Sequence, residues 1–129
     1  PKVLLINKYS ASDGDLFPWS FKANKIGKVI GTRIWGGIVG ISGPLPYMDD
    51  TDVRVPFFTN FDAKTGQWIV ENHGVDPDIL IDNDPIKEQM GEDQQLNKAI
   101  EVIMQELKDR KPLPKVPAPR TFKDLGLKQ

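Results

Sequence analysis

The sequence predicts an α/β chain, and three observations carry that reading. The run Val3–Ile6 is wholly apolar, a helical pattern from Asp15 to Lys25 leads directly into a second strand-like run, Lys28–Thr32, and Asp93–Arg110 is strongly amphipathic. A strand, a helix and a strand in that order make a parallel pair joined by a right-handed crossover. The 129 residues fit one ordinary domain and suffice to bury a core.

Taken in order, Val3, Leu4, Leu5 and Ile6 suit a central strand covered on both faces rather than an exposed edge. In the next segment Leu16, Phe17, Trp19, Phe21, Ala23 and Ile26 recur at mostly helical spacing, and Pro18 is tolerated because it falls in the first turn. Gly27 stops that helix before Lys28–Thr32. Arg33–Ile41 mixes large apolar residues with Gly36, Gly37 and Gly40 and predicts a strand with a glycine bend. It has neither the Lys-Ser/Thr ending of a P-loop nor the order of a dinucleotide fingerprint.

Ser42–Asp52 predicts a loop, and its acidic cluster Met48–Asp52 lacks the spacing and the closing Glu of a calcium loop, so it is read as a solvated turn. Val53–Phe61 and Gln67–Glu71 predict a β-hairpin across Asp62–Gly66. Ile79–Ile81 predicts a brief strand, and Asp82–Gly91 a polar connection. In Asp93–Arg110 the stripe Leu96, Ala99, Ile100, Ile103, Met104 and Leu107 predicts packing against the sheet, with Lys98, Glu101, Gln105, Glu106 and Lys108 facing water. The proline-studded run Lys111–Pro119 predicts extended, polyproline-like chain. It reads as a strap, a linker or a ligand for an aromatic groove, with Phe122, Leu125 and Leu127 available as pins.

Composition excludes several classes. Seventeen Lys and Arg against eighteen Asp and Glu leave a formal charge of -1, so no overall field recruits nucleic acid or an anionic membrane. Without cysteine there is no disulfide, no thiolate metal site and no cysteine nucleophile, and the compartment, cytoplasmic or periplasmic, stays open. No apolar stretch approaches the ~20 residues that span a bilayer, and the first residues lack the regions of a signal peptide. Because the chain opens on Pro1 and enters a strand pattern at once, it reads as the interior of a longer polypeptide. A strand edge exposed there would invite dimerisation or strand exchange. His73, the only histidine, lies near Glu71, Asp76 and Asp78, but one His with loop carboxylates lacks the ligand spacing of a metal site.

The stretch with chemical potential is Ser10-Ala-Ser-Asp-Gly-Asp15, between the first strand and the first helix. A hydroxyl there sits at a helix N-terminus, among backbone N–H groups that have no partner within the helix. Two readings are open: a plain N-cap by Ser12 or Asp13, or a hydroxyl presented as a nucleophile.

Three blocks in series bear on the choice: Asn7-Lys-Tyr-Ser-Ala-Ser-Asp-Gly-Asp-Leu-Phe17, Gly31-Thr-Arg-Ile-Trp-Gly-Gly-Ile-Val-Gly40 and Trp68-Ile-Val-Glu-Asn-His-Gly-Val-Asp-Pro-Asp-Ile79. Together, over about Val3–Leu107, they resemble the catalytic domain of tricorn-type serine peptidases, within the wider tail-specific (C-terminal processing) group. The resemblance implies a crotonase/ClpP-like βαβ core, here a partial domain over residues 1–110, followed by an extended Pro-rich tail, 111–129. It implies that Ser12 is the nucleophile and that the Asp13 backbone N–H is one donor of the oxyanion hole. Glu71 then matches the carboxylate of a Ser-His-Ser-Glu tetrad. No metal or organic cofactor is required, and the implied partners are a peptide or unfolded protein substrate, the remainder of the parent polypeptide and further copies of the chain.

Two departures from the group shape the expectation. Tail-specific relatives place the lysine of a Ser-Lys dyad in the Gly-rich block, which here reads Trp35-Gly36-Gly37 with no lysine. The tricorn branch draws its base from a Ser-His pair well upstream of the nucleophile, a segment this chain does not contain, and His73 lies in the wrong block. A serine without a base is a poor nucleophile at neutral pH. The chain is thus expected to be part of a serine endopeptidase, inactive alone. The alternative is a non-catalytic binding or assembly domain in which Ser12 is a helix cap and Ser12→Ala lowers stability by ~1 kcal/mol.

Overall fold

The computed structural model describes residues 1–41, 43, 45–121 and 124–126, without the side chains of 45 and 46. Along the chain run β1 (Val3–Ile6), α1 (Asp13–Ala23), β2 (Lys28–Gly31), β3 (Gly40–Ile41), β4 (Leu45–Pro46), β5 (Asp52–Val53), β6 (Pro56–Phe58), β7 (Ile79–Leu80), α2 (Pro85–Gln89) and α3 (Gln94–Lys108).

The predicted parallel pair is present: Val3 to Ile6 run in register with Lys28 to Gly31, and β7 adds in parallel on the far side of β2. The sheet order is β1-β2-β7, so β2 is the centre and β1 an edge of the described sheet. This corrects the expectation that Val3–Ile6 is central. Its apolar run reflects cover on two faces, not pairing on two edges. Leu4 and Ile6 pack with Val29, Phe21, Leu16 and Trp19 under α1, while α3 lies over β1 and β2 on the opposite face, where Ile30 and Ala99 are buried. Leu5, on that second face, stays partly exposed.

α3 begins where Asp93 caps it, its Oδ1 accepting the Leu96 N–H at 2.9 Å. The stripe read from periodicity does not all meet the sheet. Gln95 and Ala99 are buried, whereas Leu96, Ile100, Met104 and Leu107 are exposed. Polar anchoring sets this rotation: the Gln95 N–H donates to Asn83 Oδ1 at 2.9 Å and its Nε2 to the Ile81 carbonyl at 2.8 Å. Within the predicted polar connection lies α2, with Pro85 in its first turn and Asp84 accepting the Ile86 N–H at 2.8 Å. Asp followed by Pro is the signal that marks such a start.

The segment 53–71 also departs from expectation. β6 pairs antiparallel with β3, and β5 with β4, so the loop expected over 42–52 holds a hairpin whose turn is fastened by Asp49 accepting from Thr51. Of the hairpin across Asp62–Gly66 there remains a tight turn and an isolated bridge, Phe61 to Trp68, whose rings meet edge to face at 6.2 Å. Residues 110–121 carry no regular structure, and Leu113, Val116 and Leu125 are exposed, so none of the three pins the tail to its own chain. Phe122 and Leu127 lie outside the described residues. No helix among the described residues is long and apolar enough to cross a membrane.

Candidate active site

β1 ends at Ile6, and the chain turns through Asn7–Ala11 to enter α1 at Asp13. At the corner stands Ser12, exposed, with φ 58° and ψ -114°. A non-glycine residue adopts this conformation only when its surroundings over-determine it, at a cost of about 1–3 kcal/mol. Ser12 occupies the N-cap position, yet its side chain makes no capping hydrogen bond. Its carbonyl accepts the Asp15 and Leu16 N–H groups at 2.8 and 3.1 Å, which starts the helix. The strained strand-to-helix corner therefore lifts a hydroxyl that makes no capping bond to the positive end of α1, with the Asp13 N–H as the next backbone group along.

Asp13 and Glu71 are placed as follows. Asp13 is the first residue of α1, and among the described residues its N–H donates to no acceptor. Glu71 lies far along the sequence in a segment that is itself strained, with Val70 and Asn72 both at φ 63°. Positive φ in a β-branched residue is a true outlier. Glu71 Oε2 accepts the N–H groups of Ile38 and Val39 at 2.7 and 2.9 Å. Among the described residues no hydrogen bond joins Ser12 to Glu71. Both grip one loop, residues 33–39, because the Ser12 N–H donates to the Gly37 carbonyl at 3.2 Å.

That loop was expected to be a strand, and the destination of its donors explains why it is not. The Ile34 N–H goes to the Val75 carbonyl and the Trp35 N–H to the Ser10 carbonyl, at 3.3 and 3.4 Å. The Gly36 and Gly37 N–H groups go to Asp15 Oδ1 and Oδ2, at 2.8 and 3.3 Å, and the next two go to Glu71. Six consecutive donors are satisfied with no strand partner. Close backbone approach completes the fit: a Cβ on Gly36, at φ 89°, would collide with the Gly74 backbone nitrogen, and one on Gly74, at φ 80°, with the Ile34 carbonyl.

Asp15 is the residue that the sequence reading did not single out. It is 0% exposed, the only fully buried carboxylic acid among the described residues. Residue type gives no signal for this, since an acidic residue at the third helical position is expected to turn back and cap its own helix. His73, by contrast, is exposed: its Nδ1 lies 3.3 Å from the Gly74 carbonyl and its Nε2 3.8 Å from Asp76, with no bond to Ser12.

Comparison with known proteins agrees with this architecture. The profile of peptidase family S41 matches residues 1–81. Tricorn protease of Thermoplasma volcanium is 43% identical over 111 residues, which span 86% of this chain and 11% of that protein. Tricorn protease of Thermoplasma acidophilum is 41% identical over 107 residues, 83% of this chain and 10% of that protein. A crystal structure of the tricorn protease superposes with a TM-score of 0.74 at 42% identity, covering 82% of this chain and 10% of that one. The chain thus spans about a tenth of the length of these relatives. It belongs to peptidase family S41 and is similar, within that family, to the tricorn proteases.

Proposed function

We propose that this chain is the nucleophile-bearing C-terminal part of a tricorn-like serine endopeptidase, with a crotonase/ClpP-like core over residues 1–110 and a Pro-rich extended tail after it. Ser12 attacks a peptide carbonyl and forms an acyl-enzyme that water hydrolyses. The Asp13 N–H, at the positive end of α1, supplies one hydrogen bond to the oxyanion. Glu71, with Oε2 engaged by the loop, keeps Oε1 for the tetrad and orients the hydroxyl and imidazole groups brought by the upstream Ser-His pair. The substrate is a peptide or unfolded protein, and the working site forms with the remainder of the parent polypeptide.

The observation that carries this reading is the backbone of Ser12. A serine that served only as a cap would have ordinary extended dihedrals and a side-chain bond to the helix, and Ser12 has neither. The test is hydrolysis of an unstructured peptide by the parent polypeptide, by its Ser12→Ala variant and by this chain alone. The expected result is activity in the first and none in the other two. A parent that still cleaves through Ser12→Ala contradicts the assignment of Ser12, and cleavage by this chain alone contradicts the need for an upstream base.

A further inference from the structure

We infer that Asp15 is a positioning residue for the Ser12 nucleophile, acting through the backbone of Gly36 and Gly37. The inference deepens the proposed function and rests on Ser12 being the nucleophile. Asp15 stands three residues after Ser12, in the first turn of α1. In a capping box an acidic side chain at this place turns back to the N–H of the cap residue. Here it turns away. Its two oxygens instead accept the Gly36 and Gly37 N–H groups.

The Ser12 N–H, which that side chain would otherwise take, donates to the Gly37 carbonyl. Gly37 is therefore fastened at both polar ends, its N–H by Asp15 and its carbonyl by Ser12. With the Trp35 N–H on the Ser10 carbonyl, segment 10–15 is tied to segment 35–37 by four hydrogen bonds. Such ties over-determine the unfavourable φ of Ser12. Asp15 is enclosed and touches no substrate, so its effect reaches the reaction through the angle at which Ser12 presents Oγ. Small misplacement of a reacting atom is costly, about a hundredfold in rate for a shift on the order of 1 Å.

The experiment uses Asp15→Asn, which keeps the shape of the side chain but replaces one acceptor with a donor facing a loop N–H. In the parent polypeptide, peptide hydrolysis and labelling by a fluorophosphonate probe are followed for the wild type, Asp15→Asn, Ser12→Ala and Ile30→Val. Ile30 is fully buried on the other face of the sheet and serves as a stability control. The expected result is a fall of about tenfold to a hundredfold in kcat and in the labelling rate constant of Asp15→Asn. KM should move less than twofold, and Ile30→Val should label at the wild-type rate. Asp15→Asn that labels and turns over like the wild type, while Ser12→Ala does not label, overturns the role of Asp15 and leaves Ser12 as nucleophile. Labelling that survives Ser12→Ala overturns the underlying reading instead.

A second measurement does not depend on the variant folding. In the wild-type chain, the Gly36 and Gly37 amides should exchange with deuterium at least tenfold more slowly than the amide of exposed Val116, although no strand contains them. Exchange as fast as at Val116 overturns the inference.

Discussion

Residues 10–15, 33–39 and 70–75 contain almost no regular structure, yet they include the fully buried Asp15, the buried Ile34, Ile38, Val70 and Val75, and three strained residues. Residues 40–68 contain two antiparallel ladders, β3–β6 and β4–β5, yet Phe57, Phe58, Phe61 and Trp68 are all more than half exposed. The ladders satisfy backbone groups without building a core. The irregular region is fixed instead by two carboxylates, Asp15 and Glu71, which take four successive loop N–H groups. Fixity in this molecule follows burial and satisfied donors rather than secondary structure.

That contrast is broken most sharply at Gly74. Gly74→Ala places a methyl group against the Ile34 carbonyl at a φ that alanine disfavours. Chemical denaturation should show a loss of about 3 kcal/mol or more. A loss below about 1 kcal/mol would mean that the irregular region yields as readily as a surface loop.

A smaller effect is expected at Asp78, which staples the core sheet to α1. It accepts the Val29 N–H at 2.8 Å and lies 3.1 Å from Lys22 Nζ. Partial burial pushes its carboxyl up, but the Val29 N–H, the Lys22 hydrogen bond and the Lys22 and Lys28 charges outweigh that and leave it below the ordinary aspartate value. A depressed folded value contributes stability that is complete above the unfolded pKa and lost as pH falls through the folded one. Stability should therefore decline with acid below the ordinary aspartate range, and Asp78→Asn should flatten that limb. Asp78→Ala, which leaves the buried Val29 N–H without its acceptor, should cost about 1–3 kcal/mol at neutral pH.

At Ser12 a change of sign is expected. Ser12→Gly removes the penalty of positive φ and should raise stability by about 1 kcal/mol. Ser12→Ala removes no capping bond and should stay within about 0.5 kcal/mol of the wild type, against the ~1 kcal/mol loss expected for a cap. Thermal or denaturant unfolding of the two variants separates these outcomes. The smallest effect belongs to the other region: Phe57→Ser, on an exposed ladder residue, should change stability by less than about 0.5 kcal/mol. A larger loss would show that the aromatic face is part of the core.

The parallel βαβ unit was legible because hydrophobic periodicity and glycine punctuation are local signals. Val3–Ile6 pairs in parallel with Lys28–Gly31, one residue short of the expected Lys28–Thr32. The place of β1 at the sheet edge was not, since an apolar run records cover on its faces and not the neighbours of its edges. The rotation of α3 was hidden for a similar reason: the tie from Gln95 to Ile81 is tertiary, and a stripe of Leu, Ile and Met does not reveal it. Around the candidate site, Ser12, Asp13 and Glu71 were singled out by a resemblance carried in three blocks. Asp15 was not, because its partners are backbone N–H groups, which leave no mark on residue type. The strain at Ser12 and Val70 is likewise a property of the folded backbone alone.

The most direct test of the nucleophile is to map the adduct of a fluorophosphonate on the parent polypeptide. Trypsin releases Tyr9–Lys22, a peptide that holds Ser10, Ser12 and Ser20, and fragmentation assigns the modified oxygen. The phosphonyl group is expected on Ser12 alone. An adduct on Ser10 or Ser20, or a parent labelled only outside this peptide, would contradict it.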